Sequence, residues 1–144
     1  ILIYVAFRFH FRDGVISVAA IAHDVIVTLG ALSITHRELS LPVLAALLTI
    51  VGYSINDTIV VFDRIRESRG KGVRKGQTLA ELVNAAMNQT LSRTLLTSFT
   101  TFIAAAVLLI FGGEVLRDFA FALVVGVVTG TYSSIAAASL VLDW

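Results

Sequence analysis

Residues 41–62 read LPVLAALLTIVGYSINDTIVVF, an apolar run from Leu41 to Phe62 that holds a single carboxylate, Asp57, beside Asn56. The run passes directly into the charged stretch Asp63-Arg64-Ile65-Arg66-Glu67. As a helix rising 1.5 Å per residue, a run of this length crosses the roughly 30 Å of hydrocarbon in a bilayer. A carboxylate inside that layer costs roughly 2.5 to 3.5 kcal/mol on insertion scales, so such a group usually marks an ion or proton path. The stretch therefore predicts a membrane helix bundle that moves charge.

Composition agrees with the compartment. Of 144 residues, 57% are hydrophobic and 15% charged, and the mean hydropathy is +0.89, far above a soluble domain. The formal net charge of +1 says little as a total, because the 11 Lys and Arg are clustered. The absence of cysteine excludes disulfides, thiolate metal sites and cysteine nucleophiles. The chain opens without Met on Ile1-Leu2-Ile3-Tyr4-Val5-Ala6-Phe7, too short to span and read as the tail of a truncated helix over 1–12. Arg8 follows this run instead of preceding it, which does not fit a signal peptide, and the natural protein is expected to extend upstream.

Four complete spans are expected: 14–35, 41–62, 94–111 and 119–142. Short turns join the first pair (His36 to Ser40, then Pro42) and the last pair (Gly112-Gly113-Glu114), as in helical hairpins. The middle connection, 63–92, is long and basic, with Arg64, Arg66, Arg69, Lys71, Arg74 and Lys75. By the positive-inside rule it is cytoplasmic, and Arg8 and Arg12, one span earlier, fall on the same side. The C-terminus is then cytoplasmic too. Within the loop, Thr78 and Glu81 form a capping-box pattern, and Leu79, Leu82, Val83, Ala86 and Met87 recur at helical spacing. This predicts a short amphipathic helix, either lying on the inner membrane face or packed under the bundle.

Polar groups at membrane depth are the candidates for chemistry. Ser17, Asp24, Thr28 and Thr35 lie near one face of the first span, with His23 turned about 100° away. Thr49, Tyr53, Asn56 and Asp57 form a stripe on the second that leads to Arg64. Arg93, Thr97 and Thr101 recur every four residues on the third, flanked by Thr94, Ser98 and Thr100. The fourth offers small residues: Gly126 and Gly130, then Ser133, Ser134 and Ala136 to Ala138, a pattern that lets helices approach closely. Asp57 lies seven residues before Arg64, about 10 Å from the basic end. Arg93 either snorkels to the interface or reaches Asp57. If it reaches, a helix shift that changes their separation would change proton affinity and couple proton passage to motion.

Plainer readings stand beside these. Asp57 could be a hydrogen-bond partner between helices, and His23 with Asp24 a satisfied polar cluster. Asp63 pairs with Arg66 or Arg64 at the interface. The third-span Thr and Ser would bond to carbonyls one turn back, and Tyr53 reads as packing.

The run Val51-Gly52-Tyr53-Ser54-Ile55-Asn56-Asp57-Thr58-Ile59-Val60-Val61-Phe62-Asp63-Arg64-Ile65-Arg66-Glu67 resembles the signature of the SecF half of the SecD/SecF protein-export family. Ala22-His23-Asp24-Val25, Ser92-Arg93-Thr94-Leu95-Leu96-Thr97-Ser98 and Phe111-Gly112-Gly113 agree with it, so the resemblance covers nearly the whole chain. It implies the resistance-nodulation-division superfamily, in which proton flow through a helix bundle drives movements of large extracytoplasmic domains. The family's proton-relay aspartate falls on Asp57 and its essential arginine on Arg93. Family members carry a first helix and an extracytoplasmic domain ahead of this segment, and a SecD-like subunit supplies a second intramembrane aspartate.

The resulting expectation is an all-α membrane protein: a polytopic bundle of one partial and four complete transmembrane helices, half of a resistance-nodulation-division-type domain. It would use proton-motive force to assist preprotein export across the bacterial inner membrane. Asp57 would bind the proton, Arg93 tune it, and Asp24 act as a candidate second station, with His23, Asn56 and Thr97 in support. The resemblance implies a SecD-like subunit, the Sec channel with its insertion factors, secretory preproteins and the lipid bilayer as partners. It implies no nucleic acid, enzyme activity, metal or cofactor, the proton gradient supplying the energy. A lipid or small-molecule exporter of the same superfamily is the alternative. An intramembrane aspartyl protease would put Asp24 and Asp57 on successive helices, but Gly-x-Gly-Asp is absent and Arg93 opposes a shared-proton pair. An inert scaffold predicts that Asp57→Asn is silent.

Overall fold

The computed structural model describes residues 3–4, 7, 11–72 and 76–140. Four helices follow one another: α1 (Phe11–Ile34), α2 (Leu41–Gly70), α3 (Leu79–Phe111) and α4 (Gly113–Leu140). Each is long and apolar enough to cross a membrane. The truncated helix expected over 1–12 lies mostly outside the described residues, as do Arg74, Lys75 and the last residues of the fourth span.

α4 is the centre of the bundle. It touches α1, α2 and α3, most extensively the last two. Its buried residues are nearly all small: Ala120, Ala122, Gly126, Gly130, Ser133, Ser134, Ala137 and Ala138. Between helices in lipid the hydrophobic effect offers little, so close approach and polar pairing hold them together. Gly126 shows how close that approach is, because a Cβ there would overlap the Ile50 side chain of α2. Gly126→Val is accordingly expected to lower stability by about 2 kcal/mol through overpacking. Denaturant titration of the purified protein in mild detergent checks this, and Ile50→Ala in the same chain should recover much of the loss.

Two apolar clusters close the bundle at its ends. Leu32, Val43, Ala46 and Ala122 form one. Val61, Phe62, Ile65, Leu82, Val83, Ala86, Ala137 and Ala138 form the other, at the basic end. Between them lies a polar belt containing Asp24, Thr28, Ser54, Asp57, Thr58, Thr94, Ser98, Ser133 and Ser134, all buried.

The basic connection differs from the sequence expectation. α2 continues through Gly70, and α3 begins at Leu79 and runs unbroken to Phe111, so the amphipathic stretch is the first part of a spanning helix. The Thr78 hydroxyl accepts from the Glu81 N–H at 3.3 Å, while the Glu81 carboxylate accepts from the Thr78 N–H at 3.2 Å. Leu82, Val83 and Ala86 then bury against Val61, Phe62 and Ile65. Burial of that face, with Arg64 donating from Nε to Gln89 at 2.6 Å, packs the stretch under the bundle. Arg64 and Lys71 also pair with Glu67 at 2.6 and 2.7 Å, extending α2 past the apolar run. At about 45 and 50 Å, α2 and α3 exceed a hydrocarbon layer of roughly 30 Å, so both project beyond it.

The short turns are built differently. α1 ends with His36 in the left-handed region at φ 54°, His36 N–H bonded to Ser33 O at 3.1 Å and Arg37 N–H to Leu32 O at 2.9 Å. This is a Schellman closure with histidine where glycine is usual. Arg37 then pairs with Asp118 at the start of α4 and stacks 4.4 Å over the Phe121 ring, tying the turn to the central helix. α4 starts at Gly113 with φ 73°, a conformation that glycine adopts without cost.

Candidate functional site

Asp24 is fully buried at mid-helix in α1. Its Oδ2 accepts from Ser54 Oγ on α2 at 2.6 Å and from Ser133 Oγ on α4 at 2.8 Å. His23 Nδ1 lies 3.3 Å from Oδ1, its ring half exposed at the bundle surface. The Thr28 hydroxyl donates to the Asp24 carbonyl at 2.8 Å. One carboxylate oxygen therefore joins three helices. α4 passes close to the carboxylate at Gly130, where a Cβ would be in ordinary van der Waals contact, 3.7 Å from Asp24 Oδ2.

Asp57 sits one turn beyond Ser54 on α2, on the same face by its three-residue spacing. It is 5% exposed, and its Oδ2 is buried without a hydrogen-bond partner. Among the described residues Arg93 forms no ion pair with it within 4.0 Å, and Arg93 is exposed on α3. The two aspartates are thus in opposite conditions. Asp24 has Oδ2 filled by two serine hydroxyls and Oδ1 beside the His23 ring, whereas Asp57 keeps one oxygen unmet.

The belt is ordered differently from the stripes read in the sequence. Ser17, Asp24 and Thr28 of α1 are buried as a set, while Thr35 is exposed. On α2 the buried polar residues are Ser54, Asp57 and Thr58; Asn56 and Thr49 are exposed. On α3 the buried line is Thr90, Thr94 and Ser98, and Arg93 and Thr97, one position away, face outward. Thr97, Thr100 and Thr101 bond to carbonyls one turn back, at 3.0, 3.0 and 2.8 Å.

Ser98 departs from that pattern. Its Oγ lies 2.7 Å from Tyr53 Oη and accepts from Thr131 Oγ1 at 2.7 Å, so Tyr53 is a polar link and not packing alone. Sequence reasoning placed Tyr53 and Ser98 in polar stripes and Ser133 among small residues, but missed the bonds of Ser54 and Ser133 to Asp24 and the Tyr53–Ser98–Thr131 group. Spacing held a signal for two of them, since Ser54 precedes Asp57 by one turn and Ser133 follows Gly130 by one turn. No group of three or more His, Cys, Asp or Glu among the described residues could hold a metal ion.

Comparison with known proteins brings these observations into one family. The family described as "Protein export membrane protein SecD/SecF, C-terminal" matches residues 1–144. The chain is 55% identical over 141 residues to the "Protein translocase subunit SecF" of Koribacter versatilis, covering 98% of this chain and 34% of that protein. It is 52% identical to the SecF subunit of Calditerrivibrio nitroreducens, over 96% of this chain and 46% of that protein. Against the "Protein translocase subunit SecDF" of Thermus thermophilus the identity is 56%, over 100% of this chain and 20% of that one. The chain thus spans between a fifth and a half of these relatives. The crystal structure of SecDF from the same genus, described as a translocon-associated membrane protein, superposes with a TM-score of 0.91 at 56% identity, over 99% of this chain and 20% of that one. A SecDF structure in a "Super-membrane-facing form" gives 0.90 at 55% identity, over 99% and 19%.

Proposed function

Because this chain belongs to the SecD/SecF C-terminal family of protein export membrane proteins, we propose that it is the SecF-type membrane domain through which proton-motive force assists preprotein export. Asp57 binds and releases the proton. Arg93 tunes that step, and Asp24 holds α1, α2 and α4 around it. The observation that carries this reading is the buried Asp57 oxygen without a hydrogen-bond partner, placed within a spanning helix. Such a group has different energies protonated and ionised, which a potential across the membrane can exploit.

A SecD-like bundle is the partner. Its support is twofold: a relative carries the name SecDF on a single chain, and Arg93 and Thr97 face outward from a helix that crosses the membrane. Polar side chains at that depth need protein or water beside them, and a second bundle supplies both. The 71–78 connection, flanked by Arg64, Arg66 and Arg69, is cytoplasmic by the positive-inside rule, and the C-terminus shares that side. The membrane is the bacterial inner membrane. The Sec channel with its insertion factors and secretory preproteins complete the assembly.

The test uses inverted membrane vesicles holding the full-length protein and its SecD-like partner. A preprotein started by ATP and stalled partway is expected to advance when a proton gradient is imposed and to stop when it is collapsed. Gradient-driven efflux of a hydrophobic dye, with no effect on the stalled preprotein, would instead assign the bundle to small-molecule export.

A further inference from the structure

A groove of about 640 Å³ runs between α3 and α4, lined by Ser92, Leu95, Phe99 and Phe102 of the first and by Val128 and Thr131 of the second. Leu95, Phe99 and Val128 are about half exposed or more. The hydroxyls at its floor are taken up within the protein, Thr131 lying 2.7 Å from Ser98 and Ser98 2.7 Å from Tyr53 Oη. The wall offered to the outside is therefore hydrocarbon.

Depth says what fits. α3 ends at Phe111, and the roughly 20 residues needed to cross the hydrocarbon reach back to about Ser92. From Ser92 to Phe102 the groove covers about 15 Å at 1.5 Å per residue, the depth of one leaflet in a layer of roughly 30 Å. It opens at the boundary on the basic side and stops near the midplane. A further protein helix crosses both leaflets and would need a matching concavity about twice as long, whereas one acyl chain ends where this groove does. Arg93 and Thr97, the outward pair ascribed above to the SecD-like bundle, follow another line of α3, because each position turns the helix by about 100°.

The boundary end is polar and basic. Asn88 and Gln89, both exposed, precede Ser92 by one turn. Arg64 of α2 donates from Nε to Gln89 and from Nη1 to Glu67, each at 2.6 Å, which holds its guanidinium at that level. Gln89 accepts through its oxygen and keeps its NH2 group as a donor. Glu67 is shared between Arg64 and Lys71, so one carboxylate meets two cations and positive charge remains. Basic pockets between transmembrane helices attract anionic headgroups, and a guanidinium matches the geometry of a phosphate.

We propose that the α3–α4 groove binds one anionic phospholipid from the leaflet on the basic side. Its acyl chain lies along Leu95, Phe99, Phe102 and Val128, and its phosphate sits beside Ser92, Gln89 and Arg64. The lipid thus bridges α2, α3 and α4 and covers the Ser98–Thr131 contact from the membrane side. The site is separate from Asp57 and takes no part in the proton step.

Photoactivatable lipids test it on the full-length protein with its SecD-like partner in bilayers. Phosphatidylglycerol and phosphatidylcholine carry the same diazirine-bearing acyl chain, and the labelled residues are mapped by mass spectrometry. Phosphatidylglycerol is expected to label Phe99, Phe102 and Val128 about fivefold more than phosphatidylcholine does, the worth of one basic residue near the membrane surface. Val107 and Ile110, exposed on α3 beyond the groove, should be labelled alike by both. Arg64→Gln should bring the ratio in the groove close to one, and Arg64→Lys should retain most of it. Val128→Trp, which fills the groove, should lower labelling at Phe99 by either lipid, with unchanged labelling at Val107 and Ile110 showing that the bundle is intact. Equal labelling of the groove and of Val107 by both lipids would overturn the site and leave only bulk lipid around the bundle. A groove that takes no label from either lipid while Val107 does would overturn it in favour of a covering protein segment.

Discussion

Asp57→Asn is expected to abolish the gradient-dependent stage of preprotein export while leaving ATP-driven initiation and assembly with the SecD-like half intact. Asparagine has nearly the same shape and can hydrogen-bond in the same cavity, but it does not exchange a proton. One charge moved through 100 mV is worth about 2.3 kcal/mol, a bias of about fiftyfold on a two-state bundle. With no titratable group at position 57 that bias disappears, and export under a gradient should fall to the rate measured with the gradient collapsed. Arg93→Ala should have a similar effect if the guanidinium sets the proton affinity of Asp57, with Arg93→Lys partly restoring function because a positive charge remains. Time courses in inverted vesicles, with assembly checked by co-purification, measure both variants. Export by Asp57→Asn at the wild-type rate would make Asp57 a helix-packing residue in a protein whose energy enters elsewhere.

The second large effect concerns stability. Asp24 Oδ2 accepts two serine hydroxyls from two other helices at 2.6 and 2.8 Å. Asp24→Ala should lower stability by about 2 kcal/mol, since buried hydroxyls lose their acceptor and a small cavity opens. The figure stays modest because Ser133 retains the Gly130 carbonyl as a second acceptor at 3.2 Å. Asp24→Asn keeps an acceptor oxygen and should cost far less. Unfolding in mild detergent compares the two, and a double-mutant cycle with Ser54→Ala isolates the α1–α2 bond. A loss of only a few tenths in Asp24→Ala would mean that the three-helix junction is held by packing alone. If Asp24→Asn remains stable and yet stops gradient-driven export, Asp24 acts as a second proton station in addition to joining helices.

How far the site could be read from residues depended on what surrounds each of them. Asp57 stood out because a carboxylate in an apolar run is conspicuous whatever packs on it. Gly126, Gly130 and the following small residues foretold close approach, and that approach is what brings α4 against Ile50 and Asp24. The stripes on α2 and α3 were read one position off. In a soluble helix, apolar periodicity identifies the inward face, but in lipid both faces of a span are apolar, and a polar stripe can face either the interior or another bundle. On α3, Arg93 and Thr97 form one such stripe and Thr90, Thr94 and Ser98 the other; only packing against α2 and α4 distinguishes them. The amphipathic stretch after Thr78 had a legible start and period. Whether it lay on the membrane or under the bundle turned on Val61, Phe62 and Ile65, which become its partner only because α2 continues past the apolar run.

By itself, the sequence determined a membrane bundle of spanning helices, the family and the two aspartates within those helices, because hydrophobic length, charge and motif are properties of residues in order. Tertiary structure alone decided that Asp24 is satisfied by Ser54 and Ser133 while Asp57 keeps an open acceptor, and that Tyr53 reaches Ser98 and Thr131. The reason is that a hydrogen bond within about 3 Å depends on the rotation and depth of each helix against its neighbours. Those are settled by small residues and side-chain fit between helices distant in the chain.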